Sequence, residues 1–486
     1  MRSLHQVMLF VFAVLSTLAS CKDESDVGPP SENAQNGGAQ QSHNIAGTSV
    51  NYVAADPAIY KPGQVADWAK NKDLKKIREH AWRLWGGITA RTGQQYPSSG
   101  ECAEKADLPV WDTWYGEAET FQRPATCLAG EHCRGFHLPR QAGGAQVLSF
   151  NKYSVEFLDW VDKNKFYDER TFIKINQQMD KDNTPVADRI IDAIPPDSAT
   201  MLKPTFWVVP RDKPVMMPYW KGPHLDINGT LTPDHPVVST WTRFVLYDPT
   251  GKADPNKAYP VKILGPNGFV NRMVKPDKIV DADDFYAVPL TEADVDYIKS
   301  GNIFTIGGVD VNDLKPCDLA LLVGMHVTTA EFNNWTWQTF WWSPFPEDTN
   351  QPTVKAPFTH FNVATAYYFD DSNKQPQIAF NPYLEPPIEG PIFMNPQDHG
   401  SHSNCMTCHH AAAYPTTNRS SNPANMLLGN YQATGTITGG EQWFKGRVKT
   451  RFMWGMLMEA QMQGCTLQPN KTYRCKGDDD KTALQE

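Results

Sequence analysis

The chain has 486 residues, of which 40% are hydrophobic and 20% charged, and its formal charge is −9. That balance suits a large globular protein with ample length for a core, and it excludes a nucleic-acid binder, which would carry a basic face. Fifteen Trp and 38 Pro argue against a helical bundle.

Arg2 makes the N-terminus positive, and Val7 to Thr17 is a short apolar run. It is too short to span a bilayer and predicts a cleaved secretion signal over residues 1–20. Leu18-Ala19-Ser20-Cys21 resembles a bacterial lipobox. That resemblance implies cleavage before Cys21 and lipidation of its thiol. Lys22 follows instead of Asp, which by the same resemblance points to the outer membrane, facing the periplasm. No later segment is long and apolar enough to span a membrane, so the lipid alone would hold the chain there. Residues 21–55 are polar and rich in Asp, Ser, Asn, Gln and Gly, and read as a flexible linker from the anchor.

The body is expected over residues 56–385. Asp73 is an N-cap, and Leu74, Ile77, Ala81, Leu84 and Trp85 repeat at helical spacing until Gly86-Gly87 can end the helix. Residues 91–146 read as loops with three cysteines. Ser154 to Lys163 reads as a second helix. Strands are predicted at Phe206–Val209, Thr240–Tyr247, Val261–Leu264, Leu319–Thr328, Trp335–Trp342, Phe361–Phe369 and Ile378–Phe380, with a helix at Glu292–Lys299. Helices followed by a run of strands imply an α+β fold: a large β-rich body, antiparallel sheet or sandwich, with flanking helices. There is no internal repeat of the kind a β-propeller needs.

From residue 386 to 486 the chain is irregular, with a last helix predicted at Lys449–Gln463. This region carries Cys405-Met406-Thr407-Cys408-His409. Two thiols at this spacing can add to the vinyl groups of one haem, and the adjacent imidazole becomes the proximal iron ligand. Half of a zinc site is the competing reading, with His399, His402 and His410 nearby, but no second Cys/His pair has the matching spacing. The predicted cofactor is one covalent haem c. A single visible helix cannot wrap a haem alone, so this segment is expected to pack on the β-rich body.

Three residues compete for the far side of the iron. Met456 and Met458 lie on the predicted last helix, where Met is also an ordinary gap-filler. His326 lies in a strand whose alternation puts Ala320, Leu322, Gly324, His326 and Thr328 on one face, with Gly324 leaving room for a planar group. A core histidine is the competing reading there. His224, His235 and His360 read as structural or surface. The run Asn334 to Trp342 holds four Trp that either line a pocket or fill both faces of a buried strand. With Cys21, Cys405 and Cys408 set aside, six cysteines remain, an even number that an exported chain can pair. Cys127 with Cys133 and Cys465 with Cys475 bracket short loops that could close locally. No phosphate-cradling loop, dinucleotide fingerprint or second haem motif is present.

The blocks Leu322 to Thr329, Asn334 to Phe340, Asn381 to Glu385, Asn404 to His409 and Thr450 to Trp454 resemble bacterial single-haem cytochrome c family proteins. These are large exported proteins with one C-terminal haem motif. The resemblance covers about residues 150–458 and implies haem attachment at Cys405 and Cys408 and ligation by His409. It also matches His326 to a strand histidine, and it weakens Met453, where the family pattern has Leu.

The reading that follows is one-electron transfer between an unidentified redox partner protein and the haem. A haem enzyme, peroxidase-like or another small-molecule oxidoreductase with an open iron site, is the alternative motivated by the oversize body. A haem-based sensor or assembly subunit is a third.

Overall fold

A hairpin of β1 (Ser42–Ile45) and β2 (Thr48–Asn51) leads into the body. The computed structural model describes residues 42–45, 48–95, 102, 107–121, 147–220, 243–265, 268–300, 309–347, 351–367, 379, 381, 383, 405–415, 444–460, 465–467 and 473–475. The signal at 1–20, the lipidation at Cys21, and Cys127, Cys133, His224, His235, His399 and His402 lie outside them. Gln41–Glu486 is one compact unit. Tyr52 and Ala55 already belong to the main core, and Tyr52 stacks on Tyr115 at 5.4 Å. The packed chain therefore begins inside the stretch read as linker.

Helix α1 (Pro62–Lys70) opens on proline, whose missing N–H costs nothing in a first turn. Helix α2 (Leu74–Ile88) is capped by Asp73, which accepts from the Lys76 N–H at 3.1 Å. Its buried face holds Ile77, Ala81, Leu84 and Trp85, as the spacing predicts. Gly86 and Gly87 do not end it. A Cβ on Gly86 would lie 2.6 Å from Thr353 Oγ1, and one on Gly87 2.6 Å from Ile59. These glycines admit neighbours; they do not break the helix.

Short elements follow: β3 (Arg91–Gln95), β4 (Asp107–Pro109), β5 (Tyr115–Gly116), α3 (Glu117–Phe121), β6 (Val147–Ser149) and β7 (Lys152–Tyr153). Helix α4 (Val155–Asn164) is capped by Ser154 where the sequence predicts a helix. Helix α5 (Glu169–Lys181) was not foreseen, because it is very polar overall and among its apolar residues only Phe172 is fully buried. Cys102 is bonded to Cys317, across 215 residues, which ties the early loops to the chain before the long central strand.

The later strands are β8 (Thr200–Val209), β9 (Val215–Pro218), β10 (Phe244–Tyr247), β11 (Tyr259–Gly265), β12 (Gly268–Val274), β13 (Ile279–Val280) and β14 (Ala287–Pro289). Helix α6 (Glu292–Ser300) interrupts them as predicted. Then come β15 (Leu319–Thr329), β16 (Thr336–Trp342) and β17 (Phe361–Thr365). The principal sheet has eight strands in the order β17-β16-β15-β8-β7-β5, with β14 beside β15 and β6 beside β8. Every pairing in it is antiparallel. The fold is α+β with a large antiparallel sheet.

A register shift between Leu322 and Gly324 changes the faces of β15. Leu322 opposes Phe206 on β8, and Gly324 opposes the next residue, Thr205. The inserted Val323 therefore breaks the alternation. Ala320 and Leu322 share a face with Met325, Val327 and Thr329; Gly324, His326 and Thr328 are on the other. The strict alternation expected from sequence is corrected accordingly. The space beside Gly324 is also taken. A Cβ there would meet Asn381 Nδ2 at 3.1 Å and the Tyr383 Cβ at 3.4 Å.

Helix α2 covers the Met325 face, where Trp85 stacks on Phe340 at 4.2 Å. A buried polar network also sits there. Glu331 accepts from Thr329 Oγ1 at 2.6 Å and from the Lys61 N–H. His80 Nε2 lies 3.2 Å from Glu331, and His80 Nδ1 lies 2.8 Å from the Tyr367 hydroxyl.

The other face, at the Trp337 end, meets the C-terminal elements: α7 (Cys405–His410), β18 (Ala413–Tyr414), β19 (Val448–Lys449) and α8 (Trp454–Glu459). Met406, Val448, Met453 and Met456 share one buried cluster with Phe121, Tyr153, Phe157, Trp335 and Trp337. The described C-terminal residues thus pack in one cluster with residues of the body. The long last helix predicted at 449–463 is reduced to α8, because Arg451 and Phe452 are left-handed, at φ 50° and 70°. The final hairpin pairs β20 (Cys465–Leu467) with β21 (Tyr473–Cys475). Among the described residues, no helix is long and apolar enough to cross a membrane.

Candidate functional site

The motif occupies helix α7, so positions 405, 408 and 409 fall at i, i+3 and i+4, one face of the helix. Two contacts fix the end of that helix. The Thr450 N–H donates to the Ala412 carbonyl at 3.0 Å. Ala413 and Tyr414 pair with Lys449 and Val448. The chain then reverses through left-handed Arg451 and Phe452, which brings the Phe452 carbonyl onto His409. His409 Nδ1 lies 2.7 Å from that oxygen. A carbonyl only accepts, so Nδ1 carries the proton and Nε2 keeps its lone pair.

Burial pushes the His409 pKa down to about 4. The Phe452 carbonyl opposes that shift, and nearby His326 and Lys203 reinforce it. The ring is neutral at physiological pH. It lies deep in the protein yet keeps some accessible surface. The Trp337 ring is 4.6 Å away, tilted by 49°, and its indole N–H is held by the Asn334 carbonyl at 2.8 Å. His410 lies edge-on to Phe444 at 5.3 Å and 5.6 Å from the Phe452 ring.

His326 lies on the same sheet face as Trp337. It opposes Thr339 on β16 and Lys203 on β8. It is the one residue of β15 that is not fully buried. Glu117, at the start of α3, accepts from Asn151 Nδ2 and faces Lys203. Burial raises the Glu117 pKa, while Asn151 and Lys203 lower it.

The structure thus brings His409, Trp337 and His326 together. Met456 is fully buried in the apolar cluster with Phe121 and Tyr153. Met458 lies on α8, but its side chain is outside the described residues, as are those of Cys405 and Cys408; Met462 lies wholly outside. His360 is not near this site; it pairs with Asp284 at 3.5 Å and lies beside Trp342. Sequence reasoning missed the Phe452 carbonyl, Lys203 and Glu117. A backbone carbonyl leaves no sequence signal. Lys203 did leave one, a lone charge in an otherwise uncharged strand, but its meaning needs the pairing with His326.

These residues fit a c-type haem. A metal-bound histidine characteristically donates its second ring N–H to a carbonyl or carboxylate, which fixes tautomer and orientation, and His409 is so held. The donor set of one neutral imidazole beside two thiol positions suits covalent haem better than a four-ligand structural zinc. Among the described residues, no group of three or more His, Cys, Asp or Glu side chains converges on a metal-sized point. Compared with known proteins, the chain matches no family model, no curated protein and no solved structure.

Proposed function

We propose that the chain is a single-haem c-type cytochrome that transfers one electron at a time through a haem attached at Cys405 and Cys408 and ligated by His409. The observation that carries this reading is the bond from His409 Nδ1 to the Phe452 carbonyl at 2.7 Å, at the end of a motif helix. It leaves Nε2 as the available donor on a neutral ring. When bound, the haem supplies a one-electron iron couple. The chain's own residues orient and shield. Thr450 and the left-handed pair Arg451-Phe452 aim the carbonyl. Trp337 walls the imidazole, and Met406 and Met453 exclude water from the surrounding cluster.

His326 is the far-side ligand this reading favours, because it shares the sheet face that meets His409. Met456 and Met458 are the other candidates. The blocks around His326, Trp337 and the haem motif support kinship with bacterial single-haem cytochrome c family proteins. The Leu18-to-Cys21 block supports an exported lipoprotein held to the outer membrane and facing the periplasm. A separate redox protein would deliver or remove the electron.

Polar His326 and Lys203 near His409, with Glu117 facing Lys203, favour a second reading, a haem enzyme with an open iron position and a small substrate. The pyridine haemochrome assay tests the common ground. One covalent haem per chain is expected, with loss of attachment in the Cys405→Ala, Cys408→Ala double variant. A purified protein without covalent haem overturns both readings.

A further inference from the structure

We propose that the β11–β12 hairpin is a docking arm for an anionic phospholipid surface. The hairpin pairs Tyr259–Gly265 with Gly268–Val274, and among the described residues no third strand joins it. Its base is packed: Tyr259, Val261, Ile263 and Val274 meet Met216, Phe244 and Leu246 in a small core beside β9 and β10. Further along β12, Val270, Asn271, Arg272 and Met273 are all exposed. Successive strand residues point to opposite faces, so both faces of this stretch meet solvent.

The charge of the arm runs against that of the chain. The whole protein carries −9, yet from Pro255 to Pro276 there are Lys257, Lys262, Arg272 and Lys275 and no acidic residue. All four cations are exposed. The flanking carboxylates are engaged elsewhere: Asp254 accepts from the Asn256 N–H at 2.8 Å, and Asp277 from the Tyr219 hydroxyl at 2.8 Å. Six large hydrophobic residues are exposed among the described residues, and two of them are in β12. These are Met273, 64% exposed, and Val270, 39% exposed, on either side of Asn271 and Arg272.

Cations on an open edge strand deter pairing with other strands. That purpose alone gives no reason to expose Met273 and Val270 among them. Apolar side chains set among Lys and Arg match a phospholipid surface, whose phosphates attract the cations while its interface accepts the apolar groups. An acidic protein patch would answer only to the cations. The choice of occupant rests on the anchored-lipoprotein reading. A lipid at Cys21, 31 residues before Tyr52 where the core begins, keeps the body beside a bilayer, where a few weak contacts suffice.

The chain from Lys22 onward keeps the compact unit Gln41–Glu486 and carries no lipid. It is floated with vesicles of phosphatidylglycerol and phosphatidylcholine in equal parts, and with vesicles of phosphatidylcholine alone. Binding to the first and not the second is expected, and it weakens as salt rises. The Arg272→Gln, Lys275→Gln variant is expected to bind about 25-fold more weakly, about fivefold for each cation. Met273→Gln is expected to lose about fivefold or more with an unchanged salt dependence. Lys75→Gln, Lys76→Gln, an equal charge change at exposed positions of α2, is expected to bind as the wild type does. Equal binding to both vesicles, binding to neither, or an equal loss in the α2 variant overturns the proposal. Retention on immobilised polyglutamate that Arg272→Gln, Lys275→Gln abolishes, with vesicles unbound, overturns it too and gives the arm to an acidic protein. Labelled palmitate in the full chain, absent from Cys21→Ser, tests the anchor separately. A chain without label overturns the anchor, while vesicle binding still decides the arm.

Discussion

Trp337 and His409 meet ring to ring, 4.6 Å apart and tilted by 49°. One belongs to the central sheet and the other to the motif helix, so this contact seats the C-terminal segment on the body. Trp337→Ala removes the wall and the indole bond to Asn334. The expected cost is about 3–5 kcal/mol in urea unfolding, as for other buried Trp truncations. Trp337→Phe, which keeps an aromatic surface, is expected to lose less.

The Glu331 carboxylate is the hub of the polar network under α2, with His80, Thr329 and Lys61 around it. Glu331→Ala leaves those groups buried without their acceptor. Breaking such a network from one side costs about 3–5 kcal/mol, measurable by chemical denaturation. Glu331→Gln keeps one acceptor oxygen and is expected to fall between that variant and the wild type.

His360 sets a pH dependence. Burial lowers its pKa, and Asp284 works in the opposite direction without cancelling it. The folded protein therefore binds this proton less readily than the unfolded chain. The stability it contributes is present above the unfolded value of about 6.5 and is lost as pH falls through the lower folded value. Urea midpoints are expected to fall from about pH 7.5 to about pH 5, and His360→Gln to flatten that slope. An unchanged slope in the variant would assign the effect to another group.

Reduction of the Cys102–Cys317 bond releases a long loop, and a native disulfide is typically worth about 2–5 kcal/mol. Cys102→Ala, Cys317→Ala protein is expected to lose that stability. Cys465 and Cys475 occupy opposed positions in the last hairpin. Non-reducing peptide mapping is expected to find them joined, and a free thiol at either position would contradict that.

The helix at 74–88 and the long strands were legible because each is local: a cap or a period. What was not legible depends on distant neighbours. Gly86 and Gly87 looked like a helix stop because the sequence does not show Thr353 or Ile59 lying against them. The face of His326 came out with the wrong companions because one inserted residue, Val323, resets the alternation. The short α8 was overextended because left-handed Arg451 and Phe452 are not glycines, and only tertiary contacts hold them there. The Cys102–Cys317 bond spans 215 residues and carries no local signal of its own, though it is compatible with both loop pairings read from the sequence.

The β18–β19 pairing has a consequence for how the protein is made. Ala413 and Tyr414 lie just past the Cys405–His409 motif, and their partners Val448 and Lys449 follow later in the chain. Until that later stretch is in place, His409 has no Phe452 carbonyl to orient it, while the two thiols are already present. Under the haem proposal, thiol chemistry at Cys405 and Cys408 can therefore precede closure of the fold, whereas ordered ligation by His409 would follow it. Under the haem proposal, a chain cut short before Val448 is expected to keep its thioethers and to lose the bond that orients His409.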